Sequence, residues 1–185
     1  MKKTLFSVIA VLCLIISCSS EPKVDPFNIG KTNIGYLNDS TQVKDLNTIF
    51  KNDSLFNFKE DDGFTGNINN IEVFEKNGNP LLIITPSEAL DSTAVLSSIR
   101  IMDSRYATDK GISTMSTFKD IKDAYKINSI SNLISTIVVN VNEINASFTI
   151  DKNELPANMR FDMDMTIDPI QIPDNAKIKY FIVHW

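Results

Sequence analysis

The sequence predicts an α+β fold: two short helices packed on mainly antiparallel β-sheet. Three observations carry it. Residues 41–50 place Val43, Leu46 and Phe50 at i, i+3 and i+7, and residues 116–125 place Phe118, Ile121 and Tyr125 in the same way, one apolar helix face each. Asn77-Gly78 lies between two strand-like runs, and this residue pair accepts the positive φ of a tight hairpin. The rest of the chain is a series of short strand-like runs separated by Gly, Pro and Asn.

In order, residues 27–37 read as short extended pieces broken by Gly30 and Gly35. The first helix follows over 41–50, with Ser40 or Thr41 as its N-cap. Residues 55–58 read as a strand, then comes the acidic turn Glu60-Asp61-Asp62-Gly63, a strand over 68–76 and the Asn77-Gly78 hairpin. Residues 81–85 are apolar up to their last position, which predicts a central strand buried on both faces and ended by Pro86. Residues 94–102 read as a strand with Val95, Ile99 and Ile101 on one face. After the second helix, strands are expected over 137–142 and 146–151 around the loop Glu143-Ile144-Asn145. Residues 159–165 alternate Met159, Phe161, Met163 and Met165 against Arg160, Asp162 and Asp164, which predicts another strand. Residues 176–185 form a last strand tied into a sheet.

The N-terminus sets the expected location. Lys2 and Lys3 precede an apolar run over 5–16, too short for a permanent span of about 20 residues, so residues 1–17 read as a signal peptide. The run ends Leu14-Ile15-Ile16-Ser17-Cys18, which resembles a bacterial lipobox. That resemblance implies cleavage before Cys18, its lipidation, and anchorage in the cell envelope, at the outer membrane. The mature chain is then a lipidated tether over 18–27 and one globular domain over 28–185. The Asn-, Ile- and Lys-rich composition resembles envelope proteins of the Bacteroidetes.

Without Lys2 and Lys3 the chain keeps 16 basic against 23 acidic residues, a net charge of −7, which argues against nucleic acid as a partner. Cys13 leaves with the signal peptide and Cys18 carries lipid, so no disulfide, thiol nucleophile or thiolate metal site is available.

The two helical segments align without a gap, TQVKDLNTIF on STFKDIKDAY, with Lys44-Asp45-Leu46 on Lys119-Asp120-Ile121. Each half then runs extended piece, helix, strands, which points to half-repeats over 28–103 and 111–185. A tandem helix-then-sheet layout resembles the SmpA/OmlA-type outer-membrane assembly lipoproteins and the secreted β-lactamase-inhibitor proteins. The resemblance covers element order and the helix starts at Gly35 and Gly111, and carries over no interface residue.

Candidate chemistry is sparse. Ser116-Thr117-Phe118-Lys119 spells the S-x-x-K of serine β-lactamases and penicillin-binding proteins, but no K-T-G strand or S-D-N element follows it. The pattern reads instead as a helix start, Ser116 or Thr117 capping and Lys119 solvated. His184 is the only histidine, so it forms neither a histidine metal site nor a supported triad. Asp162, Asp164 and Asp168 lack the glycine and terminal glutamate of a calcium loop. Ser40, Ser54 and Ser92 each follow an aspartate in short motifs that resemble Bacteroidetes O-glycosylation sites. The expectation is a non-catalytic, lipid-anchored envelope protein, with no catalytic, cofactor or metal residues, that binds a protein or another envelope component. The alternatives are a serine hydrolase using Ser116 and Lys119, or a module binding a small lipid or glycan.

Overall fold

The computed structural model describes residues 24–60 and 68–185. The signal peptide, Cys18 and the turn at 61–63 lie outside the described residues. Three two-residue strands come first: β1 (Asn28–Ile29), β2 (Asn33–Ile34) and β3 (Leu37–Asn38). A 3-10 turn over Val43–Asp45 runs into helix α1 (Leu46–Ile49). Then come β4 (Ser54–Glu60), β5 (Ile68–Phe74), β6 (Pro80–Pro86), β7 (Leu96–Ile101) and β8 (Ala107–Thr108). The second half holds helix α2 (Phe118–Ala124), β9 (Ser129–Asn132), β10 (Thr136–Val141), β11 (Ala146–Asp151) and β12 (Ile178–His184). The α+β class is as expected.

The main sheet has eight strands in the order β4-β5-β6-β7-β12-β11-β10-β9, all antiparallel. A small sheet, β3-β2-β1-β8, is closed by the parallel β1–β8 pair. Alternation puts one residue in two on the covered face of the main sheet. Val73, Leu82, Ile84, Ile99, Ile101, Phe181, Phe148, Ile150, Ile137 and Val139 are all at most 2% exposed. Leu46, Phe50, Phe118, Ile121 and Tyr125 from the helical segments join the same core, as their spacing predicts. Lys44, Asn47, Lys119 and Lys122 face solvent.

The two halves repeat one local structure. The amide of Asn38 donates to Thr41 Oγ1 at 2.9 Å, and the amide of Ser113 to Ser116 Oγ at 3.1 Å. Asp45 accepts from the Gln42 amide at 3.1 Å, and Asp120 from the Thr117 amide at 2.7 Å. The amides of Val43 and Lys44 donate to the carbonyls of Ala94 and Ser92; those of Phe118 and Lys119 donate to Ala176 and Asp174. Each helix start therefore fills its orphan donors from the chain just before β7 or β12. Those two strands then pair with each other, Ile101 opposite Phe181, Arg100 opposite Ile182 and Ile99 opposite Val183. Arg100 and Ile182 are equivalent positions counted from the two helix docking points, so a local two-fold relation runs through that pair.

Several expectations need correction. Residues 159–165 are not a strand: a 3-10 turn over Ala157–Met159 leads into irregular chain, with Met159 buried and Phe161 88% exposed. Pro156, Pro169 and Pro173 bracket the segment, and a strand needs donors in a ladder that prolines interrupt. Strand β9 went unforeseen, because Ser-Ile-Ser-Asn carries only one apolar residue. Val95 is 39% exposed and lies outside β7, in an isolated bridge to Gln42 and with its carbonyl accepting from the Ser87 amide. The first helix is shortened to one α-turn behind its 3-10 turn, and Thr41 bonds to Asn38 instead of capping it. The pair at the middle of the sheet is β7–β12, with β6 one place off centre.

Ile84→Ala or Leu82→Ala is expected to destabilise the fold by about 2–5 kcal/mol, from lost burial and a residual cavity. Urea titration checks this as a lowered midpoint at unchanged slope.

Candidate functional site

Buried residues of the helices and of the small sheet share one core with one face of the main sheet; its other face carries the alternate residues of each strand. One row of side chains crosses that face at a single level: Phe56, Glu72, Ile83, Arg100, Ile182, Ser147, Asn140 and Ser129. Its middle is the richest part. The Arg100 guanidinium lies 4.6 Å from the centre of the Tyr180 ring. Lys179 pairs with Asp151 at 2.9 Å beside it. Ser147 and Thr149, in the register of this face, are only 5% and 8% exposed. Ser147 Oγ and His184 Nε2 are hydrogen-bonded at 2.8 Å. Burial holds His184 below the usual histidine range, so the ring is neutral at pH 7.

The Ser147–His184 pair was not legible in the sequence, where the two residues are 37 apart. The only signal is periodic: Ser147 and Thr149 are the polar phase of residues 146–151, and His184 shares a phase with Tyr180 and Ile182. Among the described residues no carboxylate hydrogen-bonds the His184 ring, so the pair lacks the third member that orients a hydrolytic base. This face presents an aromatic ring, a guanidinium, hydroxyls and amides spread across several strands.

The S-x-x-K segment folds as a helix start. Thr117 is the N-cap, its hydroxyl 3.5 Å from the Asp120 amide while Asp120 Oδ2 accepts from the Thr117 amide and hydroxyl. The Ser116 hydroxyl does not cap; it accepts from the Ser113 amide. Lys119 turns outward to Asp123 one helical turn on. An open depression of about 540 Å³ does reach Ser116, lined also by Ser113, Met115, Asp120 and Asp123, but not by Lys119. Serine and lysine therefore do not face one another.

Asp162 accepts from the Asp164 amide and Asp168 caps a 3-10 turn through the Ile170 amide, so both carboxylates serve the backbone. No group of three or more His, Cys, Asp or Glu side chains that could hold a metal occurs among the described residues. Ser40 and Ser92 are exposed and Ser54 is half-buried; the Ser40 hydroxyl donates to Asn38 at 2.7 Å. Among the described residues no helix is long and apolar enough to cross a membrane.

The fold and its open face define an α+β protein with a sheet-borne surface. No protein-family model matches the chain, and no curated protein matches it. Among solved structures it is similar to the uncharacterized protein yfeY from Escherichia coli, with a TM-score of 0.57 and 14% identity over 85% of this chain and 99% of that one. At that identity the likeness concerns the fold.

Because burial lowers the His184 pKa, the unfolded chain binds this proton more readily than the folded one. The stabilising effect of the neutral ring is fully present above about pH 6.5, the unfolded value, and is lost as pH falls from there through the folded value. His184→Gln is expected to flatten the loss of stability between wild-type melts taken at pH 7 and pH 5.

Proposed function

We propose that this chain is a non-catalytic protein of the cell envelope, anchored at the outer membrane through acylated Cys18, that binds another envelope protein with the open face of its sheet. The observation that carries the anchor is the sequence Leu14-Ile15-Ile16-Ser17-Cys18 behind a charged and then apolar leader. Large Ile15 fits a lipobox and not the small-x-small pattern of ordinary cleavage. Diacylation plus an acylated amine makes attachment effectively permanent, where a single acyl chain is marginal. Binding to a protein is supported by the breadth of the open face. Its central Arg100 and Tyr180 are the residue types that dominate protein interfaces, and Tyr180 is 37% exposed. A small ligand would call for an enclosed pocket, whereas the depressions beside Ser116 and beside His184 are open.

Cys18→Ala is expected to abolish palmitate incorporation and leave unprocessed precursor; unchanged labelling removes the anchor. A photocrosslinking residue at Ile182 is expected to give a discrete adduct in the native envelope that Arg100→Glu abolishes. The absence of any adduct removes the open face as the binding surface.

A further inference from the structure

The end of the sheet that carries the turns β5–β6 and β9–β10 also receives the N-terminal chain. The Phe27 ring packs edge-on to Tyr106, with centres 5.0 Å apart, and the Arg105 guanidinium lies 4.5 Å above Phe27. Arg105 pairs with Asp103, just past β7, and with Glu75 in the β5–β6 turn, each at 2.5 Å. Gly35 fixes the same approach, since a Cβ there would lie 2.2 Å from the Pro26 carbonyl oxygen. Pro26 and Phe27 are thus held at this end.

The second half of the same end is apolar. The β9–β10 turn exposes Leu133 by 47% and Ile134 by 78%. The Asn132 amide nitrogen donates to the carbonyls of Asp162, Met163 and Met165, at 2.9, 3.3 and 3.0 Å. Those bonds bring Phe161, 88% exposed, and Met163, 49% exposed, beside the turn. Four large apolar side chains are exposed around this joint, the kind of surface that an apolar partner covers.

From Phe27 to this joint is four strand spacings across the sheet, from β7 to β9, or about 20 Å. The nine residues from Cys18 to Phe27 reach at most about 30 Å when fully extended. A tether that short keeps this end of the domain at the surface its lipid enters, so a weak apolar contact is intramolecular and favoured. We infer that Leu133, Ile134, Phe161 and Met163 rest in the interfacial layer of the bilayer that holds Cys18. This rests on the lipid anchor proposed above. The mature chain, with a net charge of −7, gains no electrostatic attraction to anionic lipid, so the contact rests on the apolar side chains and persists at high salt.

The test uses the acylated chain in phosphatidylethanolamine and phosphatidylglycerol vesicles. The mature sequence has no cysteine besides Cys18, so Ile134→Cys gives one free thiol for an environment-sensitive fluorophore. Glu88→Cys, exposed in the β6–β7 loop at the opposite end of the strands, is the control. The expected result is a blue shift at 134, quenching there by spin-labelled acyl chains, no change at 88, and persistence in high salt. A water-like spectrum at both positions overturns the inference. So does a shift at 134 that appears only when another envelope protein is added, or one that also occurs without vesicles. Vesicle flotation and palmitate incorporation report the anchor separately. If the anchor fails, the chain with Cys18→Ser, labelled at position 134 and held to vesicles by a histidine tag ahead of residue 18, still decides whether position 134 enters the bilayer.

Discussion

The antiparallel pairing of β7 with β12 is the constraint on which the rest of the structure depends. Each half builds a four-stranded meander, β4 to β7 and β9 to β12, whose last strand would otherwise be an exposed edge with a row of open donors and acceptors. Pairing the two edges satisfies both at once and makes a single sheet of eight strands. The local two-fold relation through Arg100 and Ile182 follows from joining equivalent strands head to tail. It also makes the centre non-local: Ile101 meets Phe181, and β11 cannot join β7 except through β12. Contacts that close so long a loop form late and slowly, so completion of the sheet waits for the final residues of the chain.

The helices depend on the same strands. A helix of seven residues is marginal in water, and one of four is not stable alone. Here the first amides of each helical segment are bonded to the chain leading into β7 or β12, and the apolar stripe is buried against the covered face of the sheet. One hydrogen-bonded junction thus fixes helix, strand and core together, and it occurs once in each half. Because both helices and the small sheet settle on one face, they leave the other face uncovered.

The proposed anchor and the proposed binding face have a simple geometric relation. Strand directions run away from the end that holds Phe27 and the Leu133–Ile134 turn. With that end at the bilayer, the strands stand off the membrane and the open face looks sideways. Arg100 and Tyr180 lie on that face in the two central strands, toward the end that holds Phe27.

The sequence by itself determined the α+β class, the place of both helical segments, the Asn77-Gly78 hairpin, the strand over 146–151, the last strand, expected over 176–185 and found over Ile178–His184, and the local repeat around Lys44-Asp45-Leu46 and Lys119-Asp120-Ile121. All of these are local: they rest on a period, a turn residue or a cap that a short window contains. It also read Ser116-Thr117-Phe118-Lys119 as a helix start, though it did not see that Thr117 alone caps while Ser116 serves the turn before it. Alternation misled at 159–165, because a periodic pattern does not report whether a neighbouring strand offers hydrogen bonds. Only the tertiary structure decided that β7 and β12 meet, that Ser147 lies against His184, and that Phe161 and Leu133 share one corner. Those meetings depend on strand order across the sheet, which side-chain period cannot encode, since every strand order leaves the same residues facing in.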